Sequence, residues 1–114
     1  MCAFIQFIKG SNEIAIPRIN LTRSLDDSTG TATFLFDNNL NLLSEEINRD
    51  EKEITGMYLI DDEGILITKD VITKFIQGGP MLIQAIYIIK SPVEWNRFMR
   101  FMERYVKKNG LIFK

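Results

Sequence analysis

Alternating apolar and polar positions dominate the first third of the chain and predict β-strands. The strand-like runs are Ala3–Ile8, Glu13–Ser24 and Gly30–Phe36. In the last run, Ala32, Phe34 and Phe36 share one face of the strand, and more polar residues share the other. Pro17 cannot donate a hydrogen bond to a neighbouring strand, which predicts a position at a sheet edge or at a bulge. Residues 25–30 have the composition of a turn.

The second half contains further runs of strand-forming residues. Residues 54–60 and 65–72 flank the sequence Asp-Asp-Glu-Gly, which predicts a hairpin. Residues 81–90 are apolar on both faces and predict a buried strand. The pattern is less regular in Asn38–Lys52, where either a short helix or an acidic loop is possible, and we favour a loop with a helical turn.

A helical period replaces the strand period near the C-terminus. Ser91 is the predicted N-cap, Pro92 suits the first turn, and Glu94 completes a capping box. Gly110 suits the C-terminal stop. At about 100° per residue, one apolar arc of roughly 120° covers the core side of the helix. The arc contains Trp95, Phe98, Met99, Met102, Tyr105 and Val106, among which we expect Trp95, Phe98, Met102 and Tyr105 to be buried.

These patterns together predict an α+β fold, in which a mainly antiparallel β-sheet is covered by a C-terminal amphipathic helix. The length of 114 residues and the absence of an internal repeat or low-complexity segment predict a single domain, residues 1–114. No apolar run approaches the roughly 18 residues that a membrane-spanning helix needs.

Composition narrows the chemistry. The chain has no histidine and one cysteine, Cys2, so histidine-based nucleophile pairs, most zinc sites and an internal disulfide are excluded. The phosphate-binding glycine motifs are missing. Asp61, Asp62 and Glu63 lack the spacing of a calcium loop and are expected to form a solvated hairpin tip. We predict no catalytic residue, metal site or cofactor, although a carboxylate-dependent enzyme stays a disfavoured alternative.

Charge is distributed unevenly along the chain, although its net value is only −1. Residues 37–63 hold nine acidic and two basic residues, and residues 92–110 hold five basic and two acidic ones. The small net charge, and the predicted placement of the basic residues on the helix, away from the strand aromatics, argue against nucleic-acid binding.

Five segments occur in order between Leu21 and Leu111: "LTRS", "GTATFLF", "ITGMYLIDDEG", "FIQGGP" and "EWNRFMRFMERYVKKNGL". Together they resemble one known family, the photosystem II reaction-centre 13 kDa proteins. The hairpin and helix segments are the most specific, because neither is a general catalytic or binding pattern.

The resemblance implies a soluble α+β accessory protein that is neither an enzyme nor a carrier of a cofactor. It implies transient binding to photosystem II assembly intermediates at the stromal or cytoplasmic face of the thylakoid, in a chloroplast or a cyanobacterium. The implied partners are photosystem II core subunits, the inner-antenna protein CP47 and the thylakoid membrane surface. A protein-interaction module unrelated to photosynthesis remains the other alternative, and the oligomeric state stays open.

Three arginines are the predicted partner-binding residues. Arg97, Arg100 and Arg104 fall within about 60° of one another on the helix, opposite the apolar arc. We expect them to face outward, where planar guanidinium groups can bind acidic groups of a partner. An exposed sheet edge that accepts an added strand is the competing surface.

Overall fold

Within the residues that the structure describes, the fold consists of eight strands followed by one helix. The computed structural model describes residues 3–8, 11–12, 16–36, 56–75 and 81–110. The strands are β1 (Phe4–Ile8), β2 (Ser11–Asn12), β3 (Arg18–Arg23), β4 (Gly30–Phe36), β5 (Met57–Asp61), β6 (Gly64–Thr68), β7 (Val71–Phe75) and β8 (Met81–Ile89). The helix α1 spans Pro92–Asn109. This arrangement confirms the predicted α+β class. The predictions for Asn38–Lys52 and for Cys2 lie outside the described residues.

The strands form two four-stranded sheets, where the sequence patterns predicted one. The first sheet has the order β2-β1-β5-β6, and the second has the order β3-β4-β8-β7. Every pairing is antiparallel. Pro17 directly precedes β3, which is an edge strand of the second sheet, as its missing donor predicts.

The run 65–72 explains why two sheets form. It ends as β6 at Thr68, and β7 begins in the other sheet at Val71. The Thr68 hydroxyl donates to the carbonyl of Ile86 at 2.6 Å, and the Ile86 amide donates to the carbonyl of Asp70 at 2.9 Å. These bonds satisfy polar groups where the chain crosses between sheets, so that the interruption is stable.

One core joins the inner faces of both sheets to α1. It contains Ile5 and Phe7 of β1, Met57 and Leu59 of β5, the alternate residues Ala32, Phe34 and Phe36 of β4, and Ile83, Ala85, Tyr87 and Ile89 of β8. Phe7 and Phe36 link the two sheets through an edge-to-face contact with ring centroids 4.8 Å apart. From the helix, Phe98 stacks on Tyr87 at 5.3 Å.

The ends of α1 follow the sequence signals. The Glu94 amide donates to the Ser91 hydroxyl at 3.2 Å, and that hydroxyl donates to the Glu94 carboxylate at 3.4 Å. Gly110 adopts a left-handed conformation with φ 66°, which favours glycine.

The buried face of α1 differs from the predicted arc. The fully buried residues are Phe98, Phe101, Met102 and Tyr105. Trp95 is only partly buried, and the arc omitted Phe101. The burial is therefore centred closer to the arginines than amphipathicity alone indicates. On that side of the helix, Arg97 and Arg104 turn inward and contact Asp61.

Candidate partner-binding face

The three arginines of α1 lie against the hairpin that joins β5 to β6. Arg97 makes a two-pronged contact with Asp61, through Nη1 to Oδ2 at 2.9 Å and Nη2 to Oδ1 at 2.6 Å. Arg100 makes a similar contact with Glu63, through Nε to Oε2 at 2.8 Å and Nη2 to Oε1 at 2.9 Å. Both contacts have the fork geometry that makes arginine–carboxylate pairs strong.

Arg104 connects the two pairs. Its Nη1 donates to Oδ2 of Asp61 at 2.8 Å and to Oε2 of Glu63 at 2.6 Å. We call these five side chains the helix–hairpin network: Asp61, Glu63, Arg97, Arg100 and Arg104. Three cations and two anions give the network a net charge of +1.

The network lies at the boundary between core and solvent. The Asp61 side chain is 0% exposed, and those of Arg97 and Arg104 are 17% and 19% exposed. Glu63 and Arg100 are more open, at 32% and 49%. The expectation of three outward-facing arginines was therefore wrong for Arg97 and Arg104, because the buried Asp61 carboxylate draws both toward the core edge. The expectation of a solvated hairpin tip was likewise wrong for Asp61.

The spacing of the residues produces this geometry. Asp61 is the last residue of β5, and the Asp62-Glu63 turn leads to Gly64, whose φ of 140° suits glycine. The Glu63 amide donates to Oδ1 of Asp61 at 2.9 Å, which holds both carboxylates on the helix side of the turn. Positions 97, 100 and 104 share one face of α1 and meet them there.

The network keeps both carboxylates ionised. Burial opposes ionisation of Asp61, but hydrogen bonds from Arg97 and Arg104 outweigh that effect, and its pKa is lowered. Hydrogen bonds from Arg100 and Arg104 lower the pKa of Glu63 to about 2. Carboxylates with lowered pKa values are poor proton donors near neutral pH.

A groove with basic walls runs beside the network. It has a volume of about 440 Å³ and is lined, among the described residues, by Arg100, Glu103, Arg104, Lys107 and Lys108. The Lys108 ammonium lies 3.3 Å from the centroid of the Phe4 ring and donates to the carbonyl of Ala3 at 3.4 Å, so it fastens the helix to β1. We call this feature the α1 groove.

Within residues 3–8, 11–12, 16–36, 56–75 and 81–110, no group of three or more His, Cys, Asp or Glu side chains could hold a metal ion. No helix in those ranges has both the length and the apolar character needed to cross a membrane.

Sequence reasoning missed the roles of Asp61 and Glu63. A signal was available, since the basic stretch 92–110 and the acidic stretch 37–63 have opposite charges. The structure shows that part of this charge separation is used within the molecule, in the ion pairs between the helix and the hairpin.

Comparison with known proteins assigns the family. The family model described as Psb28 protein matches residues 5–113, which is nearly the whole chain. The chain belongs to the Psb28 family. The match includes the helix–hairpin network and the α1 groove, so both are parts of a Psb28 domain.

Several proteins named for Psb28 are similar to this chain over nearly their full lengths. The photosystem II reaction center Psb28 protein of Thalassiosira pseudonana is 58% identical over 113 residues, covering 99% of this chain and 97% of that protein. The protein of the same name from Gracilaria tenuistipitata var. liui is 59% identical, covering 97% and 96%. The one from Synechococcus elongatus is 51% identical, covering 99% and 97%.

Proposed function

We propose that this chain is an accessory factor that binds photosystem II assembly intermediates transiently and assists biogenesis of the core with its inner antenna. The observation that carries the proposal is its 51–59% identity, over nearly the whole chain, to proteins named for the photosystem II reaction center. Identity at this level over nearly the full length favours a shared role as well as a shared fold.

The proposed place of action is the stromal or cytoplasmic face of the thylakoid, where the chain is held peripherally. The proposed partners are photosystem II core subunits, CP47 and the membrane surface. Arg97, Arg100 and Arg104 are the proposed partner-binding residues. Within the network, Arg100 is the best placed to reach a partner, because its side chain is 49% exposed.

Binding, and not catalysis, is the mode of action that the described site chemistry favours. The sequence has no histidine, and the carboxylates of Asp61 and Glu63 are both held by guanidinium groups. A carboxylate in a tight ion pair at low pKa is neither a good general acid nor an available base at neutral pH.

Co-purification from solubilised thylakoids tests the proposal. A tagged chain, expressed in a photosynthetic host, is expected to recover photosystem II core subunits together with CP47. Recovery should be high when assembly is in progress and low from mature complexes. A tagged chain that recovers mature photosystem II equally well, or no photosystem II subunit, contradicts the proposal.

The surface involved is tested with two variants in the same assay. Arg100→Gln removes the most accessible guanidinium of the network, and Lys90→Gln removes an exposed positive charge just before α1. We expect a loss of recovery only for Arg100→Gln. If both variants recover photosystem II at the wild-type level, and a proline in edge strand β6 abolishes recovery without unfolding, a sheet edge is the binding surface.

A further inference from the structure

The hydrogen-bond donors of the network are not used equally. A guanidinium carries five N–H donors. Both terminal nitrogens of Arg97 bind Asp61, and its Nε lies 3.9 Å from Glu63. Arg100 uses Nε and Nη2, while Arg104 uses only Nη1. Within the described part of the chain, Nη1 of Arg100 and both Nε and Nη2 of Arg104 have no recorded acceptor.

These donors belong to the α1 groove. Arg100 and Arg104 line it together with Lys107 and Lys108. Lys108 is engaged with Phe4 and Ala3, whereas Lys107 is exposed and has no ion pair with any described residue. The groove thus combines two partly used guanidiniums with an unengaged ammonium, a set that suits an oxygen-bearing anion.

We propose that the α1 groove binds an acidic peptide segment of a partner protein, and that Glu63 is its built-in competitor. The inference rests on the proposed function, since it names the chemistry of the partner at the same face. In the free protein, Glu63 occupies donors of Arg100 and Arg104. A partner carboxylate enters from the groove side, first binds the remaining donors, and then displaces Glu63 from the donors that it occupies.

Glu63 is the exchangeable carboxylate because of where it lies. It is in the turn of the hairpin with its side chain 32% exposed, and it can be hydrated when it leaves the arginines. Asp61 has no exposed side-chain surface and binds two arginines, so its release would leave a buried charge unpaired. Asp61 and Arg97 therefore hold the helix in place while Glu63 exchanges.

A peptide fits the groove better than a lipid surface does. The groove is concave and about 440 Å³ in volume, so single side chains can enter it, but a plane of headgroups cannot. The arginines already bind two carboxylates in fork geometry, which is the geometry an acidic side chain of a partner would use.

The test is a titration of the purified full chain with a fluorescein-labelled peptide in which four glutamates alternate with glycine. Wild-type protein should bind it more weakly as salt increases. Glu63→Gln removes the competitor and should tighten binding by about fivefold, the scale of one exposed ion pair. Asp62→Asn is the matched control: it removes a neighbouring charge that makes no ion pair with a described residue, and should change binding less than about twofold.

A third variant tests whether the tighter peptide binding of Glu63→Gln depends on the α1 groove. Arg100→Gln, at a half-exposed side chain, should weaken peptide binding and remove most of the gain that Glu63→Gln gives. Circular dichroism melts establish that each variant is folded. The peptide titration needs no photosystem II, so its outcome is independent of co-purification. The peptide can fail to bind while photosystem II is recovered, and the peptide can bind while photosystem II is not recovered.

Four results overturn the inference. They are absence of peptide binding by the wild type, equal gains for Glu63→Gln and Asp62→Asn, an undiminished gain in the double variant with Arg100→Gln, and tighter binding to vesicles rich in phosphatidylglycerol than to the peptide. The last result would assign the groove to a lipid surface.

Discussion

At the scale of single residues, the core of this protein depends on a few aromatic contacts between the helix and the second sheet. Phe98 is fully buried; it stacks on Tyr87 with ring centroids 5.3 Å apart and meets Phe34 edge-to-face at 6.2 Å. One side chain therefore ties α1 to β4 and β8. Its position was predictable from the helical period, because apolar residues surround it on every turn.

Truncation of Phe98 should be among the most damaging single changes. Phe98→Ala removes a buried ring and leaves a cavity, so the free energy of unfolding should fall by about 3–5 kcal/mol. Leu25→Ala is the control, since Leu25 is fully exposed, and it should change stability by less than about 0.5 kcal/mol. Urea denaturation measures both. Similar midpoints for the two variants would show that Phe98 is not a core anchor.

Gly30 is a second residue on which the fold depends, because atoms of Trp95 and Thr22 lie where a side chain at this position would begin. A Cβ at this position would lie 2.4 Å from Cζ3 of Trp95 and 2.6 Å from the carbonyl oxygen of Thr22. The Trp95 ring is also held by β3, because the guanidinium of Arg23, the last residue of that strand, lies 4.4 Å from the ring centroid. The ring has limited freedom to yield.

Gly30→Ala should therefore destabilise the protein by about 1–3 kcal/mol through overpacking. Trp95 is the only tryptophan, so its fluorescence reports directly on this site. We expect a shifted emission maximum together with a lower denaturation midpoint. Unchanged emission and an unchanged midpoint would mean that neither the ring nor the β3 backbone opposes the added methyl group.

At the scale of elements, the strands and the helix were largely predictable, while their mutual placement was not. Alternation identified β4, the flanking runs identified the β5–β6 hairpin, and the caps at Ser91 and Gly110 bounded α1. The crossing between sheets at Lys69–Asp70 was missed, because its hydrogen bonds come from β8, distant in sequence. Local patterns contain no information on such long-range contacts.

The local sequence pattern also failed to predict which face of α1 is buried at the candidate site. A hydrophobic arc treats every arginine as a solvent-facing residue, but an arginine with a buried carboxylate partner behaves as part of the core edge. Phe101 is buried on the side of the helix where Arg97 and Arg104 turn inward to reach Asp61. Only the opposite charges of the two segments hinted at this pairing.

The helix–hairpin network should make stability depend on acid pH. The pKa of Glu63 is lowered from 4.5 to about 2 in the folded state, so its contribution is present above the unfolded pKa and is lost as the pH falls toward 2. Glu63→Gln cannot titrate at this position. We expect its melting temperature to fall less than that of the wild type between about pH 5 and pH 2.

Asp62→Asn is again the control, because it alters the same turn without touching the network. Its melting temperature should follow the wild-type decline. Asp61 and Asp26 retain lowered pKa values in both variants, so some acid sensitivity stays in each. If the melting temperature of the Glu63→Gln variant fell with pH as steeply as that of the wild type, the role assigned to this carboxylate would be contradicted.

At the scale of the whole molecule, the net charge is nearly neutral, but the basic and acidic residues are distributed unevenly over the surface. The chain carries −1 overall, yet the described lining of the α1 groove has four basic residues and one acidic residue. Asp61 and Arg97 fasten the helix to the hairpin. In the proposal above, the outer part of the same cluster keeps donors for a partner. Such an arrangement would suit the reversible, charge-based binding that the proposed transient role in assembly requires.

Lysine footprinting of the isolated photosystem II complex tests this central claim most directly. The complex and the free chain are acetylated under limiting conditions, and the modification of each lysine is quantified by mass spectrometry. Lys107 lies in the α1 groove, whereas Lys69 and Lys90 are exposed lysines outside its described lining. We predict that binding protects Lys107 strongly and leaves Lys69 and Lys90 as reactive as in the free chain. Unchanged reactivity at Lys107, with protection at Lys69 or Lys90, would contradict the account and direct attention to the strand side of the molecule.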